Sequence, residues 1–375
     1  MNVIQMVDLT TQYKRVQQQM DEAVLGVIRS GKYINGEAVR DLAAGLSDFL
    51  RVKHVIPCAN GTDALQMALM ALDLQPGDEV IVPAFTYVAA AEVIALLKLT
   101  PVLVDVHPRT FNVDVDKIEA AISSRTKAII PVHLFGQTAD MEPLMQIAKK
   151  YGLYVVEDNA QSIGSVYTFR DGSRQAAGTI GDIGVLSFFP TKNLGGYGDG
   201  GALLTNDDGL ALKLRMIGVH GQSRRYCHEI TGCNSRLDTL QAAIIRVKLP
   251  HLDSYIQARR KAAEAYDSGL KPVADWLETP ECIPASTHVY HQYTLKVKHG
   301  KRDDLQKYLK ENGIPAMIYY PLPLHRQPAF KNRVKMGGDL SESEKLCRSV
   351  LSLPMHTELD DEQIEYIIFH IINYE

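Results

Sequence analysis

This sequence predicts an α/β fold with a mostly parallel central sheet, followed by a smaller C-terminal α/β domain. Two observations carry that reading. Short apolar runs alternate with helical patterns from about residue 55 to residue 160. Polar and glycine residues stand just beyond several of those runs, and open parallel sheets bind ligands at the carboxyl ends of their strands. A chain of 375 residues is long enough to enclose a large core and divide into two domains.

The elements follow in order. Val16, Met20, Val24 and Val27 recur at mixed helical spacing and predict a helix over roughly Thr10 to Arg29, with another over 35–52. A short apolar strand near 55 enters Asn60-Gly61-Thr62. An amphipathic helix leaves that turn with Ala64, Leu65, Ala68, Leu69 and Leu72 along one face. Strands at 79–83, 101–106, 127–132 and 153–157 are separated by helical segments near 86–98, 114–122 and 140–150. Covered on both faces, such strands read as continuous apolar runs. Asp182-Ile-Gly-Val-Leu-Ser187-Phe-Phe is one more. A boundary falls at Leu249-Pro250-His251, giving a large domain over 1–250 and a smaller one over 251–375. The smaller one opens with a helix over 251–270 and continues as strand 289–297, helix 303–312 and helix 360–372. Tyr319-Tyr320-Pro-Leu-Pro-Leu-His325 is a proline-stiffened loop between them.

The chemistry centres on Lys192, at the end of a core strand and followed by a glycine-rich stretch. A lone loop lysine is ordinarily a surface residue. In a partly desolvated pocket its pKa falls and the neutral amine becomes a nucleophile suited to Schiff-base formation. Asp158 ends the strand before it and Gln161 follows. Alone, Asp158 reads as a strand-end acid or a cap, and Gln161 as a solvated amide. Beside an amine nucleophile, an acid in that place suits the ring nitrogen of pyridoxal phosphate. Asn60-Gly61-Thr62 reads either as a plain helix cap or as an anion cradle, because a helix start offers free N–H groups and Gly61 lets the backbone come close. The glycines after Lys192 are not a Walker loop, since the lysine precedes them.

Taken together, these stretches resemble the sugar aminotransferases of the DegT/DnrJ/EryC1/StrS family, within fold type I of the pyridoxal phosphate enzymes. The matching segments are collinear: Asn60–Leu65, Pro83–Ala90, Pro131–Gln137, Glu157–Gln161, Ser187–Lys192, Gly198–Gly201, Gly232–Ala243 and Tyr320–Pro328. The resemblance implies that Lys192 holds the cofactor covalently and that Asp158 pairs with its ring nitrogen. It further implies Gln161 on the ring hydroxyl, Tyr87 stacked on the ring face, and Gly61, Thr62 and Ser187 on the phosphate. Phe85 is the weaker candidate for stacking and is expected in the core. Asn234 reaches the phosphate from a partner subunit, which makes the protein a homodimer with shared active sites. The run His220–His228 and Asn234-Ser-Arg236 look like the branch that aminates C3 of a UDP-linked 3-oxo-glucuronic acid derivative, as in lipopolysaccharide sugar biosynthesis. Arg236 would then meet the sugar carboxylate, or else pair with a nearby acid. Tyr320 and His325, also assigned to substrate, look more like the wider family, including enzymes of dTDP-linked 6-deoxy 3-oxo sugars. Glutamate is the expected amino donor. A pyridoxal-dependent dehydratase would have histidine in place of Lys192, and a binding module without turnover is the reading from a different class.

Composition narrows the partners. A net charge of −4 with 46% hydrophobic and 22% charged residues is ordinary for a globular chain, and no basic stripe suggests nucleic acid. Five scattered cysteines suit a reducing cytoplasm. Cys227, His228 and Cys233 fit no zinc spacing, so no metal is expected. No apolar run reaches membrane-spanning length, and no charged start with an apolar core follows Met1, so neither a membrane anchor nor a secretory leader is expected.

Overall fold

A computed structural model describes residues 3–374; Met1, Asn2 and Glu375, the outer limits of the two expected domains among them, lie outside the described residues. The central sheet has eight strands. In spatial order they are His54–Cys58, Gly201–Thr205, Ile183–Ser187, Tyr154–Asp158, Thr126–Ile129, Glu79–Pro83, Thr100–Val104 and Lys335–Met336. All neighbours pair in parallel except at Gly201–Thr205, which runs antiparallel to both of its neighbours. Six of the strands are the expected apolar runs. Gly201–Thr205 is not among those expected, because its first residue belongs to a glycine-rich stretch that weakens a strand signal. Lys335–Met336 is too short to leave any pattern.

Helices cover both faces, so the inner strands are buried, with Val80, Ile81, Val82 and Leu103 wholly enclosed, while the short edge strand Lys335–Met336 is exposed. The helix expected over Thr10–Arg29 is two helices, Leu9–Arg15 and Gln17–Ser30, broken at Val16, whose backbone leaves the helical region. Helices Asp208–Ile217 and Thr239–Lys248 complete the cover on the side of the reversed strand. After Leu249–His251 the helix Leu252–Gly269 leads to a second, three-stranded antiparallel sheet of Leu277–Glu278, Tyr293–Val297 and Val350–Leu353. This sheet, with helices Arg302–Glu311 and Asp361–Ile372, has an apolar core of its own that includes Tyr266, Tyr293, Leu305 and Ile367. Between these elements the chain returns to the first sheet, where Leu324, Phe330, Leu340 and Leu346 join the larger core. That return brings the loop around Tyr320 over the carboxyl ends of the central strands.

Candidate active site

The strand His54–Cys58 runs into Asn60, whose side-chain oxygen accepts from the Asp63 N–H at 2.8 Å and caps the helix Gly61–Ala71. The Ala64 N–H turns back to the Asn60 carbonyl. Capping therefore consumes the Asp63 N–H, the Ala64 N–H makes the first helical bond, and the N–H groups of Gly61 and Thr62, at the positive end of the helix dipole, are left for an anion. Gly61 has to be glycine: a Cβ there would lie 2.8 Å from the Cβ of Ser187, the last residue of the neighbouring strand. This close approach sets the Ser187 hydroxyl beside the helix start.

Asp158 closes the strand Tyr154–Asp158, and only 8% of it is exposed. Its N–H donates to the Pro131 carbonyl and its own carbonyl accepts from the His133 N–H, so its backbone is fixed on both sides. One carboxyl oxygen accepts from the Ala160 N–H at 3.1 Å. Burial raises the pKa of this carboxyl, opposed by the Ala160 N–H and by the charge on Lys192. Burial likewise pulls Lys192 down to about 8, opposed by the charge on Asp158. The two side chains thus lie within each other's field in a poorly hydrated place, and the lysine is an amine with an appreciable neutral fraction near neutral pH.

The side of the cavity beyond Asp158 is aromatic. Gln161 accepts from the Phe135 N–H at 2.8 Å through its carbonyl and donates to the Tyr320 hydroxyl at 3.3 Å through its amide nitrogen. The second hydrogen on that nitrogen is left for a ligand. Tyr87 is 57% exposed, with its ring 6.2 Å from that of Tyr320. Phe85 is core, packed against Phe111, Phe135 and Tyr320.

These groups share one cavity of about 640 Å³, which Gly61, Thr62, Tyr87, Asp158, Gln161, Ser187, Lys192 and Tyr320 all line. The structure adds wall residues not singled out from the sequence, chiefly Thr86, Asp199 and His291. Thr86 sits in the segment Pro83–Ala90, just past the strand Glu79–Pro83, so a polar residue at a strand exit is visible there. His291 comes from the approach to Tyr293–Val297, the middle strand of the second sheet, and no local pattern marks it. Thr86 Oγ1 and His291 Nδ1 are buried without a hydrogen-bond partner among the described residues. Burial holds the His291 imidazole well below its ordinary pKa, hence neutral. The arrangement can hold a small anionic group at the helix start and present an amine and a carboxyl to whatever is attached to it.

Three residues named from the sequence do not line this cavity. Asn234 is exposed, in an isolated bridge to Val219. Arg236 is partly buried and has no carboxylate partner among the described residues, so the ion pair that would make it purely structural is not formed. His325 faces Glu344, with Nε2 and Oε1 3.0 Å apart.

Comparison with known proteins bears on this geometry. The profile of the DegT/DnrJ/EryC1/StrS aminotransferase family matches residues 14–372. A pleiotropic regulatory protein of Geobacillus stearothermophilus is 48% identical over 99% of this chain and 98% of its own. A UDP-2-acetamido-2-deoxy-3-oxo-D-glucuronate aminotransferase of Pseudomonas aeruginosa is 47% identical over 99% of this chain and 100% of its own. Among solved structures, ntda from Bacillus subtilis, with bound cofactor PMP, superposes with a TM-score of 0.88 at 33% identity, covering 98% of this chain and 83% of that one.

Proposed function

The chain belongs to the DegT/DnrJ/EryC1/StrS aminotransferase family, and on that premise we propose that this pyridoxal phosphate-dependent nucleotide-sugar aminotransferase moves an amino group from glutamate to a 3-oxo UDP-sugar of the glucuronic acid type. The observation that carries the reading is the convergence of Lys192, Asp158 and the free N–H groups of Gly61 and Thr62 on one cavity.

The cavity fits the cofactor. The helix start suits a phosphate, the buried carboxyl of Asp158 suits a protonated ring nitrogen, and the unpartnered Thr86 Oγ1 and His291 Nδ1 suit an oxygen-rich ligand. Bound there, pyridoxal phosphate supplies an aldehyde for an amine to attack and a ring that draws electron density from a carbon losing its proton. Lys192 is the amine. With its pKa near 8, about a tenth is neutral at pH 7, enough to attack a carbonyl and afterwards to take up and return a proton as a general base. Asp158 has one fixed donor, the Ala160 N–H, and its other oxygen is left to hold a proton on the ring nitrogen. Gln161 offers its remaining N–H to the ring hydroxyl, and Tyr87 offers its face. Tyr320 lies over the sugar side, on a loop that His325 braces through Glu344.

Glutamate and a nucleotide diphosphate are both anions. Among the described residues, Lys192 is the one lysine or arginine in the cavity wall, against the two carboxyls of Asp158 and Asp199. Further positive charge has to come from outside the protomer's own cavity. The exposed hairpin of Gln222–Arg224 and Cys227–His228 carries Arg224 and Arg225, and Asn234 and Arg236 follow it. These residues suit a homodimer in which each subunit completes the other's site, with Asn234 at the phosphate and the unpaired Arg236 guanidinium at the sugar carboxylate. A place in the cytoplasm, building sugars for lipopolysaccharide or related polysaccharide, goes with this reading; the five thiols are free.

The deciding experiment is glutamate-dependent amination of a panel of UDP- and dTDP-linked 3-oxo sugars, with and without the C6 carboxylate. The UDP-linked acid should react fastest. Preference for a dTDP-linked 6-deoxy sugar would overturn the substrate assignment, and no spectral change with glutamate would favour a regulatory module.

A further inference from the structure

Lys248, the last residue of helix Thr239–Lys248, has no part in the chemistry derived above, yet it is 1% exposed and has no carboxylate partner among the described residues. Burying an ammonium without a counter-ion is costly, and an apolar side chain of the same length would pack a helix more cheaply. The partners it does have are specific. Its Nζ donates to the carbonyl of Gly195 at 2.8 Å and lies 4.5 Å from the centroid of the Tyr197 ring. Both belong to the turn that begins at Lys192.

That turn is closed on itself and clasped from outside. The Gly196 N–H donates to the Phe188 carbonyl and the Lys192 N–H to the Phe189 carbonyl, each at 2.8 Å. Asn193 ties the turn to the Val289 carbonyl at 2.9 Å. Two turns before Lys248 on the same helix, Gln241 accepts from the Tyr197 N–H at 2.9 Å. A Cβ on Gly196 or Gly198 would come within 2.7 or 2.8 Å of the Gln241 amide, so a side chain at either position would have to displace that clasp. The helix itself packs on the helices Gln17–Ser30 and Glu37–Leu50.

We propose that Lys248 is a positioning residue for Lys192: its grip on the Gly195 carbonyl, with the Gln241 clasp beside it, fixes the turn that aims the Lys192 amine into the cavity. This inference rests on the reading that Lys192 carries the cofactor. Nucleophilic attack depends steeply on the placement of the attacking atom, so a loosened turn lowers rate before it lowers affinity.

The test uses the full-length protein with pyridoxal phosphate removed and then restored. The visible band of the bound cofactor should be present in the wild type and absent in Lys192→Ala; if it is not, the assignment of Lys192 fails, independently of Lys248. Given that band, Lys248→Met should regrow it about tenfold more slowly and slow its conversion by glutamate about tenfold, with the apparent KM for glutamate within about twofold. Lys248→Arg, which keeps a donor for Gly195, should recover most of the rate. Gln241→Ala, which leaves the buried ammonium in place, should slow regrowth in the same sense and covers the case in which Lys248→Met does not fold. Wild-type regrowth in Gln241→Ala and in every Lys248 variant that folds would overturn the proposal. So would a rise in KM that matches the fall in kcat and is not rescued by arginine.

Discussion

His133 Nε2 lies 2.8 Å from Glu157 Oε2, with both side chains completely shut off from solvent, directly behind the strand end that presents Asp158. The Ala139 N–H donates to His133 Nδ1, so the proton sits on Nε2 and points at the carboxylate. Glu157 also accepts from the N–H groups of Gly178, Ile180 and Gly181. Each oxygen therefore has two donors. Glu157→Gln turns an NH₂ against two of them and should destabilise the protein by about 3 kcal/mol, since every buried donor left without an acceptor costs 1–3. Urea unfolding without cofactor measures this; a loss below about 1 kcal/mol would show that the pair does not hold this strand end.

Lys192 makes stability depend on pH in a defined window. Its folded value of about 8 lies below the ordinary 10.5, so the unfolded chain binds more protons between those two values. Stability gained from losing that proton rises with pH across the window; the penalty is complete below pH 8 and gone above 10.5. Lys192→Met removes the penalty. Without cofactor, the variant should exceed the wild type by up to about 3 kcal/mol below pH 8, and the gap should close as pH rises through the window. Lys248 is unchanged in both proteins and cancels. A gap that stays constant with pH would refute the lowered value.

Asp158 and Lys192 oppose each other's shift, which yields a paired prediction. Asp158→Asn removes the charge that props up the lysine, so the midpoint for trapping Lys192 with a small aldehyde and borohydride should move below that of the wild type. Turnover should nevertheless fall by about a thousandfold, because an amide cannot keep a ring nitrogen protonated. An unmoved trapping midpoint would separate the two groups; retained turnover would remove Asp158 from catalysis.

Gly61→Ala tests the anion cradle. The new methyl meets the Ser187 Cβ at 2.8 Å, and that neighbour is anchored in a strand, so the helix start must back away. Pyridoxal phosphate should bind about tenfold more weakly, while pyridoxal without its phosphate should lose much less. Equal losses for both ligands would place the phosphate elsewhere.

Much of this site could be read from the chain because its parts are local. Asp158 and Lys192 each follow an apolar run that can only be a covered strand, and Asn60-Gly61-Thr62 stands where a strand gives way to a helix. The reversed strand Gly201–Thr205 escaped, since a glycine leading a short strand imitates a loop. His291 and Thr86 escaped for another reason: what marks them is an unpartnered buried atom, a property of their surroundings and not of their neighbours in sequence. Lys248 ends an amphipathic helix where a lysine would ordinarily reach water, and only the packing of that helix on the turn after Lys192 encloses it.

By itself, then, the amino-acid order determined the alternation of strand and helix and the chemical identity of the residues at the strand ends, because periodicity and capping act over a few positions. Tertiary structure decided which of those ends face one another, how far burial lowers the Lys192 pKa, and that Asn234, Arg236 and His325 stand away from the protomer's own cavity. Strand order and direction set those outcomes, and they arise from contacts between segments far apart in the chain, which no local pattern encodes.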